Sequence, residues 1–347
     1  MSNKNNFDLV RLVLAFIVLL VHGAAVSRSE SLHFLLQLFS GSFAVKGFFA
    51  ISGYLIALSF HRCRSWRDYA EKRARRIIPA YLLTIVACII SGAALTSYPL
   101  SEFFLSKTTL KYALANISFM NFIQPSLPGV FLNNPVQSMD GSLWTIKAEL
   151  TLYALLPLVF PLMKSRPFTC WLIIYLISCG WFYYFTWVYS GAKADMLAKQ
   201  FVSLSSYFFF GTLVALSGRV ADRLREIAVI SLVLFILSRD TMLSQLVQPV
   251  AFSSVVLLFC LGMFKQVPAG RYGDFSYGVY LFHWPVIQVL IDRGWYSASP
   301  WGGLVLTVLI TTLLAVISWY FVEKRFLKKK PAPHSKGRMP AAGQTLE

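Results

Sequence analysis

Charge is scarce in this chain, and acidic charge is scarcer still. Only 14% of its 347 residues are charged, and 15 Asp and Glu stand against 32 Lys and Arg, for a net charge of +17. A soluble domain carries about a quarter charged residues, so an ordinary water-facing globule is excluded. Cysteine is sparse as well. There are five, with Cys88, Cys170, Cys179 and Cys260 inside apolar runs and no CxxC or Cys/His ligand spacing. They read as small core hydrophobes, not as a disulfide framework or a metal site. No HxxxxD motif, GxSxG elbow or Walker A loop occurs, which removes several familiar enzyme routes.

What the chain has in abundance is apolar length. It is 56% hydrophobic with a mean hydropathy of +0.60, and apolar runs of about 15–20 residues recur throughout. The expected fold class is an all-α polytopic membrane protein of about ten transmembrane helices. The runs lie at 8–27, 42–60, 77–97, 143–163, 169–189, 201–217, 227–238, 246–264, 277–291 and 304–322. The seventh is short and the ninth contains Pro285. An even count puts both termini on one side. With the termini inside, 23 of the 32 Lys and Arg residues fall on the inner side and 7 on the outer, while Lys46 and Lys147 lie in or beside spans. That asymmetry predicts cytoplasmic termini for a multi-pass membrane protein. Basic residues gathered in short loops fit anionic lipid or an anionic cytosolic ligand, not nucleic acid. The N-terminus resembles a signal peptide, with Lys4, an apolar stretch and small residues at HGAAV, but the spans that follow favour an uncleaved first helix.

Residues 1–327 are expected to form one membrane domain and 328–347 a disordered basic cytoplasmic tail. The one long outer segment, 98–142, is turn-like and amphipathic, and long enough to lie over an opening in the bundle. No internal repeat of fixed period is visible.

Ionisable residues interrupt the apolar runs at telling places. In LVRLVLAFIVLLVHGAAV, Arg11 and His22 are 11 residues apart, so they share a helix face about 16 Å apart. Asp8 lies one turn before Arg11 on that face, where it can pair with the guanidinium. Arg11 alone could snorkel to the interface, but an ionisable group within a span usually faces a cavity, and a neutral imidazole is the usual general base. Ser52 and Gly53 in GFFAISGYLI suit close helix packing. Arg73, Arg75 and Arg76, in a basic loop just before Pro79, suit phosphate. Ser142, Glu149 and Tyr153 fall on one face at the start of the fourth span, and Glu149 needs a partner on another helix. Ser276, Tyr280 and His283 share a face of the ninth, where aromatic packing and one bonded histidine are the bland reading.

Taken together, DLVR through His22, GFFAISGYLI, KRARRIIPAY, SLWTIKAEL, SYGVYLFHWP and SWYFVEKRF resemble, in order and over nearly the whole chain, the acyltransferase-3 family of integral membrane acyltransferases. The resemblance implies a ten-helix domain that moves an acyl group, usually acetyl from cytosolic acetyl-CoA, to a hydroxyl of an extracytoplasmic bacterial glycan such as O-antigen or exopolysaccharide. His22 and Arg11 match the family's essential pair, Arg73 and Arg76 its RxxR motif, and Glu149 follows the SLW motif. Arg75 is an additional arginine there, which leaves open which of the three meets CoA. The SGNH domain that some relatives carry does not follow the tenth span.

On this reading CoA phosphates dock at the mouth formed by Arg73, Arg75 and Arg76, with Arg73 and Arg76 as anchors, and Arg11, held by Asp8, lies near it. His22 acts as general base or receives the acyl group, and Glu149 orients His22 or the acceptor. Ser52, Trp144, Tyr280 and His283 are candidates for contacting substrate or the oxyanion. No metal is expected. Implied partners are acyl-CoA, a lipid-linked or surface polysaccharide and the bilayer. A transporter or flippase using the same buried charges is the alternative. A purely structural membrane protein would leave His22, Glu149 and Arg11 unexplained.

Overall fold

The structure, a computed structural model, describes residues 5–262, 266, 267 and 269–327. The expected disordered tail, 328–347, lies outside the described residues. Helices α1 (Phe7–Ser27), α2 (Gly41–His61), α3 (Trp66–Leu95), α4 (Trp144–Ser165), α5 (Pro167–Tyr183), α6 (Phe201–Leu216), α7 (Leu224–Leu237), α8 (Leu243–Leu261), α9 (Ser276–Asp292) and α10 (Pro300–Ser318) form the bundle.

Each apolar run became a helix, but the expectation of ten spans needs correction. Among the described residues seven helical stretches are long and apolar enough to cross a membrane: Phe7–Ser27, Glu30–His61, Trp66–Leu95, Trp144–Ser165, Pro167–Val188, Leu243–Leu261 and Pro300–Phe326. The others, α6, α7 and α9, have 16, 14 and 17 residues. At 1.5 Å per residue a 14-residue helix covers about 21 Å, short of a hydrocarbon core of about 30 Å. Hydropathy registers an apolar run without distinguishing a lipid-facing helix from one sheltered by protein. The helix α6 is the sheltered kind, buried from Ser203 through Val214.

Two glycines set the contact between α2 and α6. A Cβ at Gly53 would fall on the Phe208 carbonyl, and one at Gly211 on the Ala50 carbonyl. Thr212 then donates from Oγ1 to the Gly53 carbonyl at 3.1 Å. The packing role expected of the Ser52-Gly53 pair thus belongs to Gly53.

The basic stretch before Pro79 is not a loop. Ser65 caps α3 by accepting from the Asp68 N–H at 3.2 Å, and the helix then runs through Pro79 to Leu95. Helix spacing therefore distributes Arg73, Arg75 and Arg76 around the axis. On the opposite side of the bundle, residues 134–141 pack onto α9. Asn134 donates to Gln288 Oε1 at 3.1 Å, Gln288 donates to the carbonyls of Val136 and Ser138 at 2.7 and 2.6 Å, and Trp284 donates to Ser138 O at 3.3 Å. This part of the segment 98–142 thus lies along α9.

Candidate active site

Helices α1 and α9 run side by side in the same direction and meet at two polar rungs. At the first, Arg11 of α1 forms an ion pair with Asp274, just before α9. At the second, His22 Nδ1 lies 2.8 Å from His283 Nε2. The 11-residue spacing in α1 answers a nine-residue spacing in and before α9, so the shared face of Arg11 and His22 points at one neighbouring helix.

The inner rung is a network. Asp274 also pairs with Arg76, and Arg76 reaches Glu323 at 3.4 Å. Ser276 donates its hydroxyl to Asp274 Oδ1 at 2.5 Å. Burial raises the pKa of Asp274, but Arg11 and Arg76, with the Ser276 bonds, outweigh it and hold the carboxyl well below the usual range. These contacts gather the starts of α1 and α9, the first half of α3 and the last turns of the chain's final helix at one end of the bundle.

Two expectations fail here. Asp8 does not hold Arg11. No ion pair joins them within 4.0 Å among the described residues, and the Asp8 carboxylate instead packs against Gly270. Asp274 replaces it because a carboxylate anchored by Ser276 at the start of α9 can serve two arginines at once, and chain-local spacing cannot reveal a residue 263 positions away. Nor do the three arginines act together. Arg75 turns outward to Glu71 at 2.7 Å, Arg76 turns inward to Asp274, and Arg73 bonds Ser59 Oγ at 3.2 Å. The Nε of Arg73 is buried without a hydrogen-bond partner among the described residues.

Glu149 finds its partner on α2, as required, but the partner is neutral. Ser52 donates to Glu149 Oε1 at 2.9 Å, and Tyr153 donates to the same oxygen. Among the described residues no hydrogen bond or ion pair joins Glu149 to His22, whose ring nitrogen meets His283 instead. Ser142 is not on the Glu149 face of α4, which begins at Trp144. It binds Asp140 instead, by N–H at 2.9 Å and hydroxyl at 2.7 Å.

Backbone chemistry fixes the tautomers at the outer rung. His283 is fully buried, and its Nδ1 lies 2.7 Å from the carbonyl of Tyr280, which can only accept. His283 Nδ1 must therefore carry the proton, and Nε2 of the neutral ring must accept. His22 Nδ1 is then the donor, which leaves the lone pair of a neutral His22 on Nε2. Trp284 braces His22 edge-on, with ring centroids 4.9 Å apart.

Two cavities follow this stripe. A small one of about 50 Å³ is lined by Arg11, Ser52, Glu149, Ser276 and Tyr280, among others. A larger one of about 780 Å³ is lined by His22, Lys46, Trp144 and Tyr280, among others. Val45, Thr145 and Tyr280 line both, so the two spaces are neighbours. The Tyr280 hydroxyl lies 2.7 Å from Thr145 Oγ1, and both contact the Ser142 carbonyl.

A buried charge network thus lies at one end of the stripe, a tautomer-fixed histidine lies further along, and a cavity adjoins each. The model of the acyltransferase domain matches residues 4–322. The chain belongs to the acyltransferase-3 family. It is similar to an O-acetyl transferase of Shigella phage Sf6, with 28% identity over 95% of this chain and 98% of the relative. It is also similar to nodulation protein 10 of Rhizobium leguminosarum bv. viciae, with 24% identity over 94% of both chains. A putative peptidoglycan O-acetyltransferase, YrhL, of Bacillus subtilis (strain 168) is 24% identical over 82% of this chain, which spans half of that relative. No solved structure matches. Membership in this acyltransferase family makes the chain a multi-pass membrane enzyme, and the transporter reading of its buried charges is set aside.

Asp274 lies just before the SYGVYLFHWP motif, Trp284 and Glu323 lie inside quoted motifs, and Lys46 lies in or beside a span, yet the sequence alone singles out none of the four. Asp274 has a legible signal: an Asp two residues before a Ser at a helix start is a local capping pattern. Glu323 and Trp284 have none, because the groups that tie them to the site, Arg76 and His22, are distant in the chain.

Proposed function

We propose that this acyltransferase carries an acetyl group from cytosolic acetyl-CoA to a hydroxyl of an extracytoplasmic glycan in the bacterial inner membrane. The observation that carries the reading is the pair of adjoining cavities, one bearing Arg11 and Glu149 and the other His22, with Val45, Thr145 and Tyr280 between them. The charge-network end is read as the cytosolic one, a reading supported by the basic stretch from Arg62 to Arg76 at that end. Arg73 is the phosphate anchor, since its buried Nε has no partner among the described residues. Arg76 and Arg11 shape the inner mouth through Asp274, and Arg75 contributes only outer positive charge.

His22 is the general base. Its Nε2 takes the proton of the acceptor hydroxyl while that oxygen attacks the thioester carbonyl carbon. The tetrahedral intermediate collapses by breaking the C–S bond, and the CoA thiolate leaves with the proton returned by His22. His283 positions His22 and accepts its Nδ1–H throughout. The hydroxyl protons of Tyr280 and Thr145 are committed to each other and to the Ser142 carbonyl, so Trp144, which lines the outer cavity, is the better oxyanion donor.

The test is acetyl transfer in proteoliposomes with labelled acetyl-CoA on one side and glycan acceptor on the other. Label should reach the glycan only when donor faces the charge-network end, and His22→Ala should abolish it. Transfer that persists in the His22→Ala variant, or labels acceptor on the donor side, overturns the reading.

A further inference from the structure

The outer cavity contains a charge that the transfer step does not use. Lys46 lies on α2, in the first turns after Gly41, and its Nζ donates to Gln248 Oε1 at 2.5 Å. That oxygen already accepts from the Tyr207 hydroxyl at 2.8 Å. The rings of Tyr207 and Phe43 also flank the ammonium, at 5.4 and 5.7 Å. Lys46 forms no ion pair among the described residues, and no Asp or Glu lines this cavity. The only other basic side chain except His22 on its wall, Lys199, is already paired with Asp195 at 2.6 Å.

A charged ammonium with three donors and one neutral acceptor is poorly compensated inside a bundle, and such a group is retained where a ligand completes it. We propose that the outer cavity binds a lipid phosphate, with Lys46 holding the phosphate. This rests on the acyl-transfer reading and names the acceptor class: a glycan still attached to a polyprenyl phosphate carrier.

Two features select a lipid over a free anion. The wall includes the apolar side chains Leu176, Trp187 and Leu243, which are 59%, 55% and 59% exposed, so an apolar surface is open to a ligand in the same cavity as Lys46. Its volume of about 780 Å³ exceeds what a phosphate alone would fill and lies in the range of sites for whole small ligands. An apolar chain against Leu176, Trp187 and Leu243 would leave its phosphate at Lys46. The sugar beyond the phosphate then has His22 on the wall of the same cavity.

The experiment measures binding of undecaprenyl phosphate, undecaprenol and phosphatidylglycerol to the purified protein in detergent, by native mass spectrometry without acetyl-CoA. The wild type is expected to prefer undecaprenyl phosphate to undecaprenol at least tenfold. Lys46→Met should reduce that preference to less than twofold, and Lys46→Arg should retain it. Because the preference is a ratio within one preparation, partial misfolding lowers both terms and leaves the ratio unchanged. Equal binding of phosphate and alcohol by the wild type, or an unchanged preference in Lys46→Met, overturns the assignment. Phosphatidylglycerol bound as tightly as undecaprenyl phosphate does so too, since the site would then be one for bulk lipid. The binding assay needs no turnover. If the preference behaves as expected but no acetyl transfer is ever seen, the transfer reading fails alone. If the wild type acetylates soluble glycan as efficiently as the same glycan on a polyprenyl phosphate carrier, the lipid-phosphate assignment fails alone.

Discussion

His22 Nδ1 and His283 Nε2 lie 2.8 Å apart, and the carbonyl of Tyr280 behind His283 decides which way that hydrogen bond runs. With His283 Nδ1 committed to donating, the lone pair that can accept a substrate proton sits on His22 Nε2. A lone histidine would sample both tautomers and several ring orientations. The second ring removes that freedom.

The pair predicts strongly non-additive kinetics. His22→Ala should lower kcat/KM for acetyl transfer by about 10³-fold, within the range for loss of a general base. His283→Ala should lower it about 10²-fold, mostly in kcat, and His283→Gln should recover part of the loss because its side-chain oxygen can accept from His22 Nδ1. The double variant should be no worse than His22→Ala. Losses that multiply in the double variant would mean that the two rings act independently.

Asp274 holds two guanidinium groups in a site where its own side chain is 15% exposed and those of Arg11 and Arg76 are 21% and 18%. Replacing it with Asn should destabilise the protein by about 3 kcal/mol, because Arg11 would lose its ion pair and Arg76 would keep only the 3.4 Å pair with Glu323. Asp8→Asn should change stability by well under half of that. Thermal unfolding of the two purified variants in the same detergent checks the ranking, and similar losses would contradict the network as described.

The three arginines of α3 should separate in donor kinetics. Arg73→Ala is expected to raise KM for acetyl-CoA about tenfold or more, as loss of a charge-assisted phosphate contact does. Arg75→Ala, which removes an exposed pair with Glu71, should change it less than twofold. Arg76→Ala should chiefly lower stability. A larger KM effect from Arg75 than from Arg73 would reverse the assignment of the anchor.

Asp140 makes stability depend on pH. Burial raises its pKa to about 7, against the partial opposition of the two Ser142 hydrogen bonds. A carboxyl with a folded pKa above its unfolded value binds more protons in the folded state between those values. Stability from this group is therefore present at low pH and falls as pH rises from about 4 to about 7, remaining low above that. Melting temperature should be higher at pH 5.5 than at pH 8, and Asp140→Asn should flatten the difference. An unchanged pH profile in the variant would place the titrating group elsewhere.

The sequence by itself determined the membrane class, the helix positions and the shared face of Arg11 and His22, because these depend on apolar length and on the 3.6-residue period within one segment. It also brought Tyr280 and His283 to one face of α9, and the motif order pointed to the family. The tertiary structure decided the partners: Asp274 in place of Asp8 for Arg11, His283 in place of Glu149 for His22, and Ser52 for Glu149. It also reduced ten expected spans to seven long enough to cross, since a run such as Phe201–Leu216 is apolar whether its neighbours are lipid or protein. The division has a single physical cause. Periodicity is a property of one helix and can be read along the chain, whereas the choice of ion-pair and hydrogen-bond partners depends on which helices lie side by side.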